Sequence, residues 1–302
     1  MKILLTGKNG QIGWELQRTL APLGEVLALG RDRLDLADID ALSSTVRALR
    51  PDVIVNAAAY TAVDRAQSEP ELAMKLNAEA PGVLAQETAR SGALLVHIST
   101  DYVFDGRKAS PYVEEDATHP INLYGVSKLA GEAAIREAGG RYVILRTSWI
   151  YASRGQNFLK TILRLAQERD ELRVVDDQVG APTWSRLVAE AIAQIIVQVR
   201  APNPSVPETY HLTAAGETSW HGFAQEAIRQ AAELCAFKPR ACKITAIPSS
   251  EYPLPARRPL NSRLSSTRVG AVFGVRLPPW QAGLRMCVED AVQSGKLLSV
   301  NT

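Results

Sequence analysis

The sequence is poor in cysteine, has almost no excess charge of either sign and contains no long apolar run. Its 302 residues include three cysteines, Cys235, Cys242 and Cys287, which form no Cys-x-x-Cys pair and indicate free thiols in a reducing compartment. Lys and Arg number 34 against 32 Asp and Glu, a balance that argues against nucleic acid or an anionic membrane surface as a partner. No stretch approaches ~20 consecutive apolar residues, the length that spans a bilayer. We therefore expect a cytoplasmic protein that binds neither nucleic acid nor membrane.

The first half of the chain alternates short apolar runs with longer amphipathic segments. Strands are predicted at Lys2–Thr6, Glu25–Leu29, 52–55, 93–99 and 141–146. Near-continuous runs of Val, Ile and Leu are typical of strands that are buried on both faces, as in a parallel sheet covered by helices. Helical segments lie between these runs, so the pattern predicts an α/β protein with a doubly wound parallel sheet.

A glycine-rich turn follows the first strand and opens the first helix. Gly7, Gly10 and Gly13 stand in a G-x-x-G-x-x-G spacing. The first glycine permits the tight turn, the second lets a pyrophosphate approach the backbone, and the third lets the helix pack closely on the sheet. Free N–H groups at the start of the helix then bind the negative charge. The turn predicts a dinucleotide site; an ordinary βα turn is the other interpretation.

The end of the second strand bears on which dinucleotide is bound. Where an acidic residue that binds the ribose is expected, the sequence has Gly30 and Arg31. Arg31 either pairs with a 2′-phosphate, which favours NADPH over NADH, or is a solvated surface residue. Asp35 and Leu36 follow at positions suited to the adenine ring. The small side chains of 57–59 after the third strand, Ala58 among them, would let a cofactor lie against the carboxyl edge of the sheet.

The alternation of strands and helices ends near residue 150. Residues 1–150 are therefore predicted to form a Rossmann-like dinucleotide-binding domain, to which the chain returns around 174–215. Residues 151–302 contain more proline and loop, and we expect them to form mainly a smaller α/β domain that binds the substrate.

Tyr124 and Lys128 stand four positions apart in a predicted helix, which places them on one face about one turn from each other. A phenol is a weak acid near neutral pH, and a neighbouring ammonium favours the phenolate. The pair suits proton exchange with a carbonyl or alcohol oxygen. Thr100, at the end of the fourth strand, is placed to hydrogen-bond the same oxygen.

These elements occur in an order that resembles the extended short-chain dehydrogenase/reductase superfamily. Finer segments are similar to the dTDP-4-dehydrorhamnose reductase family: LLTGKNGQIGWEL at 4–16, RPDVIVNAAAYTAVD at 50–64, STDYVFDG at 99–106, LYGVSKLAGE at 123–132, RTSWIYA at 146–152, DDQVGAPT at 176–183 and RPLNSRL at 258–264. The resemblance implies reduction of the 4-keto group of dTDP-4-dehydro-L-rhamnose by NADPH or NADH, the last step of dTDP-L-rhamnose synthesis.

The resemblance also implies roles for individual residues. Tyr124 is the proton donor, Lys128 holds the nicotinamide ribose, Thr100 orients the keto oxygen, and Asp101 and Trp149 contact the sugar nucleotide. The cofactor contacts carried over by motif are Gly10, Gln11, Ile12, Asp35, Leu36, Ala59, Tyr60 and Thr61.

Two alternatives remain open on sequence. One is another nucleotide-sugar enzyme of the superfamily, an epimerase or a dehydratase, which shares the turn and the Tyr-x-x-x-Lys pair. A dehydratase needs acidic groups beside the hydroxyl residue, and Asp101 is followed by Tyr102 rather than by a second acid. The other is a non-catalytic NADP-binding regulatory subunit, which the presence of Thr100, Tyr124 and Lys128 argues against.

A few residues allow two interpretations each. Some members of the family form dimers around Mg²⁺ held by glutamates, and Glu15 matches one such position, with Glu190 and Glu289 as companions. A solvated helix-face glutamate is the favoured interpretation, and no metal site is predicted. Arg258, with the neighbouring arginines of its loop, either attracts the substrate diphosphate or belongs to an ordinary basic loop. His97 lies inside an apolar strand and is expected to be a core histidine with satisfied hydrogen bonds.

Overall fold

The computed structural model describes residues 1–199, 208–234, 237–241 and 243–294. Its strands are β1 (Lys2–Thr6), β2 (Glu25–Leu29), β3 (Val53–Asn56), β4 (Leu94–Thr100), β5 (Arg141–Thr147), β6 (Ile150–Tyr151), β7 (Glu171–Val175), β8 (Val179–Gly180), β9 (Thr183–Trp184), β10 (Glu208–His211), β11 (Thr218–Ser219) and β12 (Lys243–Ile247). Its α-helices are α1 (Gln11–Thr19), α2 (Ile39–Leu49), α3 (Val63–Ala66), α4 (Pro70–Met74), α5 (Ala80–Ser91), α6 (Leu123–Ala138), α7 (Phe158–Glu168), α8 (Ser185–Val199), α9 (Trp220–Leu234), α10 (Thr267–Phe273) and α11 (Trp280–Gln293). Within these ranges, none of the helices combines the length and the apolar character needed to cross a membrane.

A six-stranded sheet in the order β2-β1-β3-β4-β5-β10 forms the centre of the molecule, and all its pairings are parallel. The predicted α/β, doubly wound class is thus confirmed. The strand order reverses between β1 and β3, and ligands of such sheets bind in the crevice at the carboxyl ends of the strands around this switch point. The glycine-rich turn after β1 opens into that crevice.

Helices cover both faces of the sheet, as the apolar strands require. Helices α1, α8 and α10 share a buried apolar cluster with one face, and α2, α5 and α6 share another with the opposite face. A separate cluster unites α7, α9 and α11 with the parallel pair β7–β12. The described elements between 150 and 294 therefore fall into two groups. Helices α8 and α10 and strand β10 pack with the central sheet, whereas α7, α9, α11, β7 and β12 form a second core.

The helical segment that joins β3 to β4 contains a π-helical turn at Lys75–Glu79, between α4 and α5. Pro81 explains this turn, because it has no N–H to donate to a carbonyl one turn earlier. The wider turn directs the fully buried Asn77 inward. Its side chain accepts a bond from the Tyr60 N–H (2.8 Å) and donates to the Tyr60 carbonyl (3.0 Å) and to Ser127 Oγ (2.9 Å). This one amide ties the loop after β3 to helix α6.

Of the three cysteines predicted to be free thiols, the structure describes one. Cys287 is a buried free thiol on α11, and burial raises its pKa well above the usual range. Cys235 and Cys242 lie outside the described residues.

Candidate active site

The glycine-rich turn has the geometry that its spacing predicts. Gly7 has a φ of +73°, a conformation that favours glycine, and a Cβ on Gly13 would lie 2.0 Å from the Gly7 carbonyl oxygen. Gly10 is the N-cap of α1 and provides no side-chain cap, unlike Asp38 and Asn122 at two other helices. The turn therefore brings backbone N–H groups to the crevice without a competing side-chain acceptor, which fits the pyrophosphate of a dinucleotide.

The side chains of Gln11 and Ile12 make contacts other than the predicted ones with a dinucleotide. Gln11 Oε1 accepts a hydrogen bond from Asn157 Nδ2 (3.0 Å), and Ile12 packs against the apolar core of the sheet. Their predicted contacts with a cofactor would thus use the backbone at the start of α1. The Gln11–Asn157 bond also joins this turn to α7, whose N-cap is Asn157.

The end of β2 presents a cation, as predicted. Arg31 is 73% exposed, and its Nε lies 4.0 Å from Asp35 Oδ1. Asp35 Oδ1 also accepts a bond from the Ala37 N–H (3.0 Å). Leu36 is buried in the apolar cluster shared with α2, so its side chain is mostly committed to the core. Arg31 has room to meet a 2′-phosphate, whereas contact between Leu36 and an adenine would involve only its remaining exposed edge.

The segment after β3 presents small side chains and backbone to the crevice. Ala58 and Ala59 are half-buried and Thr61 is exposed. Tyr60 is 9% exposed, and its hydroxyl donates to Glu69 Oε2 (2.7 Å). Because Asn77 holds both backbone groups of Tyr60, this segment offers a rigid wall. The predicted cofactor contacts of these residues are not tested by the geometry and stay predictions.

Thr100 and Tyr124 are brought together by a close approach between two short segments. Helix α6 begins beside the turn 101–103, and a Cβ on Gly125 would lie only 2.2 Å from the Tyr102 carbonyl oxygen. Asn122 caps the helix by accepting from the Gly125 N–H (2.9 Å). A glycine is therefore needed at position 125, directly after Tyr124, for the phenol to reach the end of β4. There, a hydrogen bond to Thr100 lowers the pKa of Tyr124.

The sequence led us to expect that Lys128 would favour a phenolate at Tyr124, but the pKa shifts of the two residues favour a neutral phenol. Burial raises the pKa of Tyr124 to about 12, against the smaller opposing effect of Thr100. Lys128 is 1% exposed, and burial lowers its pKa to about 8. Burial thus favours the neutral form of both side chains, so Tyr124 is held as a phenol that can donate its proton. A phenol is the form that reduction of a carbonyl requires.

His97 is a neighbour of Lys128 that sequence reasoning did not identify. It is fully buried, as expected of a core histidine, but its Nε2 lies 3.2 Å from Lys128 Nζ and its Nδ1 lies 3.0 Å from Asn56 Nδ2. The signal available in the sequence was its position three residues before Thr100 on a strand that ends at the crevice.

Asp101 is buried beside Thr100, close enough for its charge to act on Tyr124. Its Oδ1 accepts from Thr100 Oγ1 (3.1 Å), and the Tyr102 N–H donates to the same Thr100 hydroxyl (3.2 Å). Burial raises the pKa of Asp101 to about 7, while hydrogen bonds from Ser262 and Thr100 act in the opposite direction. A carboxyl that takes up a proton near neutral pH therefore adjoins the hydroxyl expected to orient the substrate.

Trp149 follows β5 and has a φ of +49°, an unusual conformation for a tryptophan. Its ring stacks on Trp220, with ring centroids 3.6 Å apart. A Cβ on Gly180 would lie 2.6 Å from the Trp149 ring, so the ring is held between a glycine and a second tryptophan. Such strain is characteristic of functional sites. Trp220 begins α9 and packs partly against the second core, so it joins that core to the surroundings of Trp149.

Arg258 lies in an ion pair. Its Nη2 is 2.7 Å from Asp64 Oδ2, and its Nη1 donates to the Ala256 carbonyl (2.8 Å). The Ala256 N–H in turn donates to the other oxygen of the same carboxylate, Asp64 Oδ1 (3.1 Å). Arg258 thus fastens its loop to the segment after β3, and its charge is largely compensated. Arg257, the adjacent residue, is exposed, and its carbonyl accepts from Asn122 Nδ2 (2.8 Å).

The favoured interpretation of Glu15 as a solvated helix-face glutamate is wrong, because its carboxylate is buried and paired with a cation. Glu15 is 2% exposed, and its Oε2 accepts from Arg186 Nε (3.1 Å). Arg186 Nη2 also donates to Asp290 Oδ1 (3.0 Å), and Glu289 pairs with Arg285 instead. In the described part of the chain, no group of three or more His, Cys, Asp or Glu residues is arranged to hold a metal ion. The surroundings of Glu15 do not fit Mg²⁺, since a guanidinium occupies the place next to the carboxylate.

Comparison with known proteins agrees with the geometry of this crevice. Residues 1–293 match the family model described as the RmlD substrate binding domain. The dTDP-4-dehydrorhamnose reductase of Burkholderia thailandensis is 51% identical over 294 residues, covering 96% of this chain and 99% of the relative. Among solved structures, the dTDP-4-dehydrorhamnose reductase of Clostridium acetobutylicum superimposes with a TM-score of 0.89 at 36% identity, covering 97% of this chain and all of that one. The Bacillus anthracis reductase, solved in complex with NADP, has a TM-score of 0.87 at 35% identity, covering 96% and 99% of the two chains. The chain belongs to the dTDP-4-dehydrorhamnose reductase family.

Proposed function

We propose that this chain reduces the 4-keto group of dTDP-4-dehydro-L-rhamnose to the hydroxyl of dTDP-L-rhamnose, with NADPH or NADH as the reductant. Membership of the family supports this reaction, and the B. anthracis structure with NADP supports the cofactor. The observation that carries the proposal is the partly buried phenol of Tyr124 beside Thr100, at the carboxyl edge of a sheet with a dinucleotide turn. Both reactants are charged, water-soluble nucleotides, which suits a cytoplasmic reaction.

The crevice fits a dinucleotide. The uncapped start of α1 would receive the pyrophosphate, the small residues 57–59 would leave space along the sheet edge, and Arg31 would meet a 2′-phosphate. Lys128, on the helix face of Tyr124, would hold the nicotinamide ribose. When bound, the cofactor supplies the hydride that reduces the keto carbon.

The chain's own residues supply the proton and the orientation. The Tyr124 phenol donates its proton to the oxygen of the keto group as negative charge develops there, which lowers the barrier. The Thr100 hydroxyl has a single proton, which it donates to Asp101 Oδ1 in the structure; turned to the keto oxygen, the same O–H would fix the distance of that oxygen from the phenol. The burial of Tyr124 keeps the proton on the phenol until a substrate arrives.

The substrate would lie between the sheet edge and the second core. Asp101 and Trp149 are the proposed contacts to the sugar. Arg257 and Arg258 are the candidates for binding the diphosphate, because guanidinium groups match the geometry of phosphate oxygens. Since Arg258 is paired with Asp64, the exposed Arg257 is better placed to accept new charge. We propose accordingly that 1–150, with α8 and β10, form the dinucleotide-binding domain and that the rest of 151–302 mainly binds the substrate.

The test is the loss of NADPH absorbance with dTDP-4-dehydro-L-rhamnose as substrate. Tyr124→Phe should retain NADPH binding and lose turnover by at least about a hundredfold, because general acid catalysis contributes that much or more. Tyr252→Phe, a change at an exposed tyrosine, is the matched control and should behave as the unmodified chain.

Other outcomes distinguish the alternatives. Binding of NADPH without consumption would identify a regulatory subunit. Conversion of a dTDP-sugar without net oxidation of the cofactor would identify an epimerase or a dehydratase. Full turnover by the Tyr124→Phe variant would contradict the assigned proton donor.

A further inference from the structure

A line of buried polar side chains runs behind Lys128 through the central sheet. Thr6 ends β1, Asn56 ends β3, His97 lies in β4 and Lys128 lies in α6, and none of them is more than 2% exposed. Thr6 Oγ1 is 2.6 Å from Asn56 Oδ1, Asn56 Nδ2 is 3.0 Å from His97 Nδ1, and His97 Nε2 is 3.2 Å from Lys128 Nζ. The side chains connect three neighbouring strands to the proposed catalytic helix.

The direction of the hydrogen bonds is fixed at Asn56. The backbone N–H of Ala58, which can only donate, points to Asn56 Oδ1 at 3.3 Å, and the Thr6 hydroxyl donates to the same oxygen. Asn56 must therefore present its oxygen to these two donors and its NH₂ group to His97.

That orientation selects one tautomer of His97. The NH₂ group of Asn56 can only donate, so His97 Nδ1 is the acceptor. Burial and the charge of Lys128 lower the pKa of His97 well below its usual range, so the ring is neutral. A neutral imidazole that accepts at Nδ1 carries its proton on Nε2, and this N–H is directed at Lys128 Nζ.

An N–H directed at Lys128 needs a lone pair, which only the neutral amine has. Lys128 Nζ also donates to the Ile98 carbonyl (2.7 Å), so the amine form keeps one further N–H for the crevice. In the ammonium form, His97 and Lys128 would face each other as two donors. Glu132, one turn later on α6, raises the pKa of Lys128, but its carboxylate is already paired with Arg146 and Arg136.

We propose that His97, with its tautomer set by Asn56, is a positioning residue that makes Lys128 release a proton readily. The proposal rests on the reductase function above. When Tyr124 gives its proton to the sugar oxygen, its O–H bond breaks and a phenolate remains. The Lys128 ammonium then transfers one proton to the phenolate oxygen, and the resulting amine accepts the His97 Nε2–H. Water returns the proton to Lys128 before the next turnover.

The tautomer can be measured without any assay of activity. We would label the full chain with ¹⁵N-histidine and record the ring nitrogens from pH 5 to pH 10. The chain has four histidines, and His97→Gln and the exposed-site control His119→Gln would assign the signals. We expect His97 to remain neutral with its proton on Nε2. A proton on Nδ1, or titration near the ordinary pKa of histidine, would overturn the proposal.

The variant Asn56→Asp reverses the direction of the hydrogen bonds. A carboxylate accepts from Thr6, Ala58 and His97, so the imidazole proton moves to Nδ1 and Nε2 becomes an acceptor for the Lys128 ammonium. The apparent pKa of Lys128 in the pH profile of kcat should then rise by about one unit. An unchanged profile together with a reversed tautomer would show that His97 does not tune Lys128.

The proposal remains testable even if Asn56→Asp does not fold. His97→Gln can still accept from Asn56 and donate to Lys128, so it should keep the apparent pKa of the kcat profile, whereas His97→Leu should shift it. Equal profiles for Gln and Leu would reduce His97 to a packing role. If the unmodified chain consumed no NADPH at all, the proposed function would fail, whereas the tautomer measurement would still stand on its own.

Discussion

The ring of Trp149 lies flat on the ring of Trp220, with centroids 3.6 Å apart and planes within 8° of each other. Trp149 follows a strand of the central sheet and Trp220 begins α9 in the second core, so the stack joins the two halves of the proposed substrate site. We expect Trp220→Ala to raise KM for the sugar nucleotide about three- to tenfold, because an aromatic pair contributes about 0.5–1.5 kcal/mol. The affinity for NADPH, measured by titration, should not change.

Trp220→Phe is the matched control, since a phenyl ring retains part of the stack. Its KM should lie between those of the unmodified chain and the alanine variant. A loss of NADPH affinity as large as the rise in KM would contradict a role confined to the substrate.

Arg31 should decide between the two nicotinamide cofactors. It is exposed, and its nearest charged partner, Asp35, is 4.0 Å away, so the guanidinium can turn to a 2′-phosphate. We expect Arg31→Ala to lower kcat/KM with NADPH roughly tenfold and to change kcat/KM with NADH by less than about twofold. Arg33→Ala, two positions along and also exposed, is the control. An equal loss of kcat/KM with NADPH and with NADH would show that Arg31 does not bind the 2′-phosphate.

The local parts of the site were predictable from sequence. Glycine spacing depends on backbone conformation within one turn, and the four-residue spacing of Tyr124 and Lys128 depends on the pitch of one helix. The bonds of His97 were not predictable, because Asn56 and Lys128 are 41 and 31 positions away. Arg258 could not be distinguished from a diphosphate ligand, since its partner Asp64 is 194 positions away. Such contacts depend on how the elements pack, which periodicity does not reveal.

Asp101 should make stability depend on pH in an unusual direction. Its folded-state pKa, raised to about 7 chiefly by burial, lies above its ordinary value of 3.8. Below pH 3.8 the carboxyl is protonated in both the folded and the unfolded chain, and its contribution to stability is fully present. As the pH rises through 7 that contribution is lost, because the folded chain must then carry a buried negative charge. We expect Asp101→Asn to raise Tm by several degrees at pH 8 and to have no such effect near pH 4, as measured by calorimetry.

Asp105 is the matched control, with the opposite sign. Bonds from the Arg107 N–H and the Tyr112 hydroxyl hold the pKa of Asp105 below its usual value. Its contribution is present above the ordinary pKa of aspartate and is lost as the pH falls. Asp105→Asn should therefore lower Tm at pH 8. If both variants changed Tm in the same direction at pH 8, burial would not be the cause of the Asp101 effect.

Glu15 should act through Arg186 rather than through a metal ion. The ion pair joins α1 to α8, and Arg186 also bonds Asp290 on α11, so three helices meet at one guanidinium. Glu15→Gln leaves the cation with one carboxylate and should lower the free energy of unfolding by roughly 1–3 kcal/mol in urea titrations. A chelator should change neither the stability of the unmodified chain nor its rate of NADPH oxidation. Glu137→Gln, at an exposed position on α6, is the control and should unfold as the unmodified chain does. Stabilisation of the chain by Mg²⁺ that disappears in Glu15→Gln would instead establish Glu15 as a metal ligand.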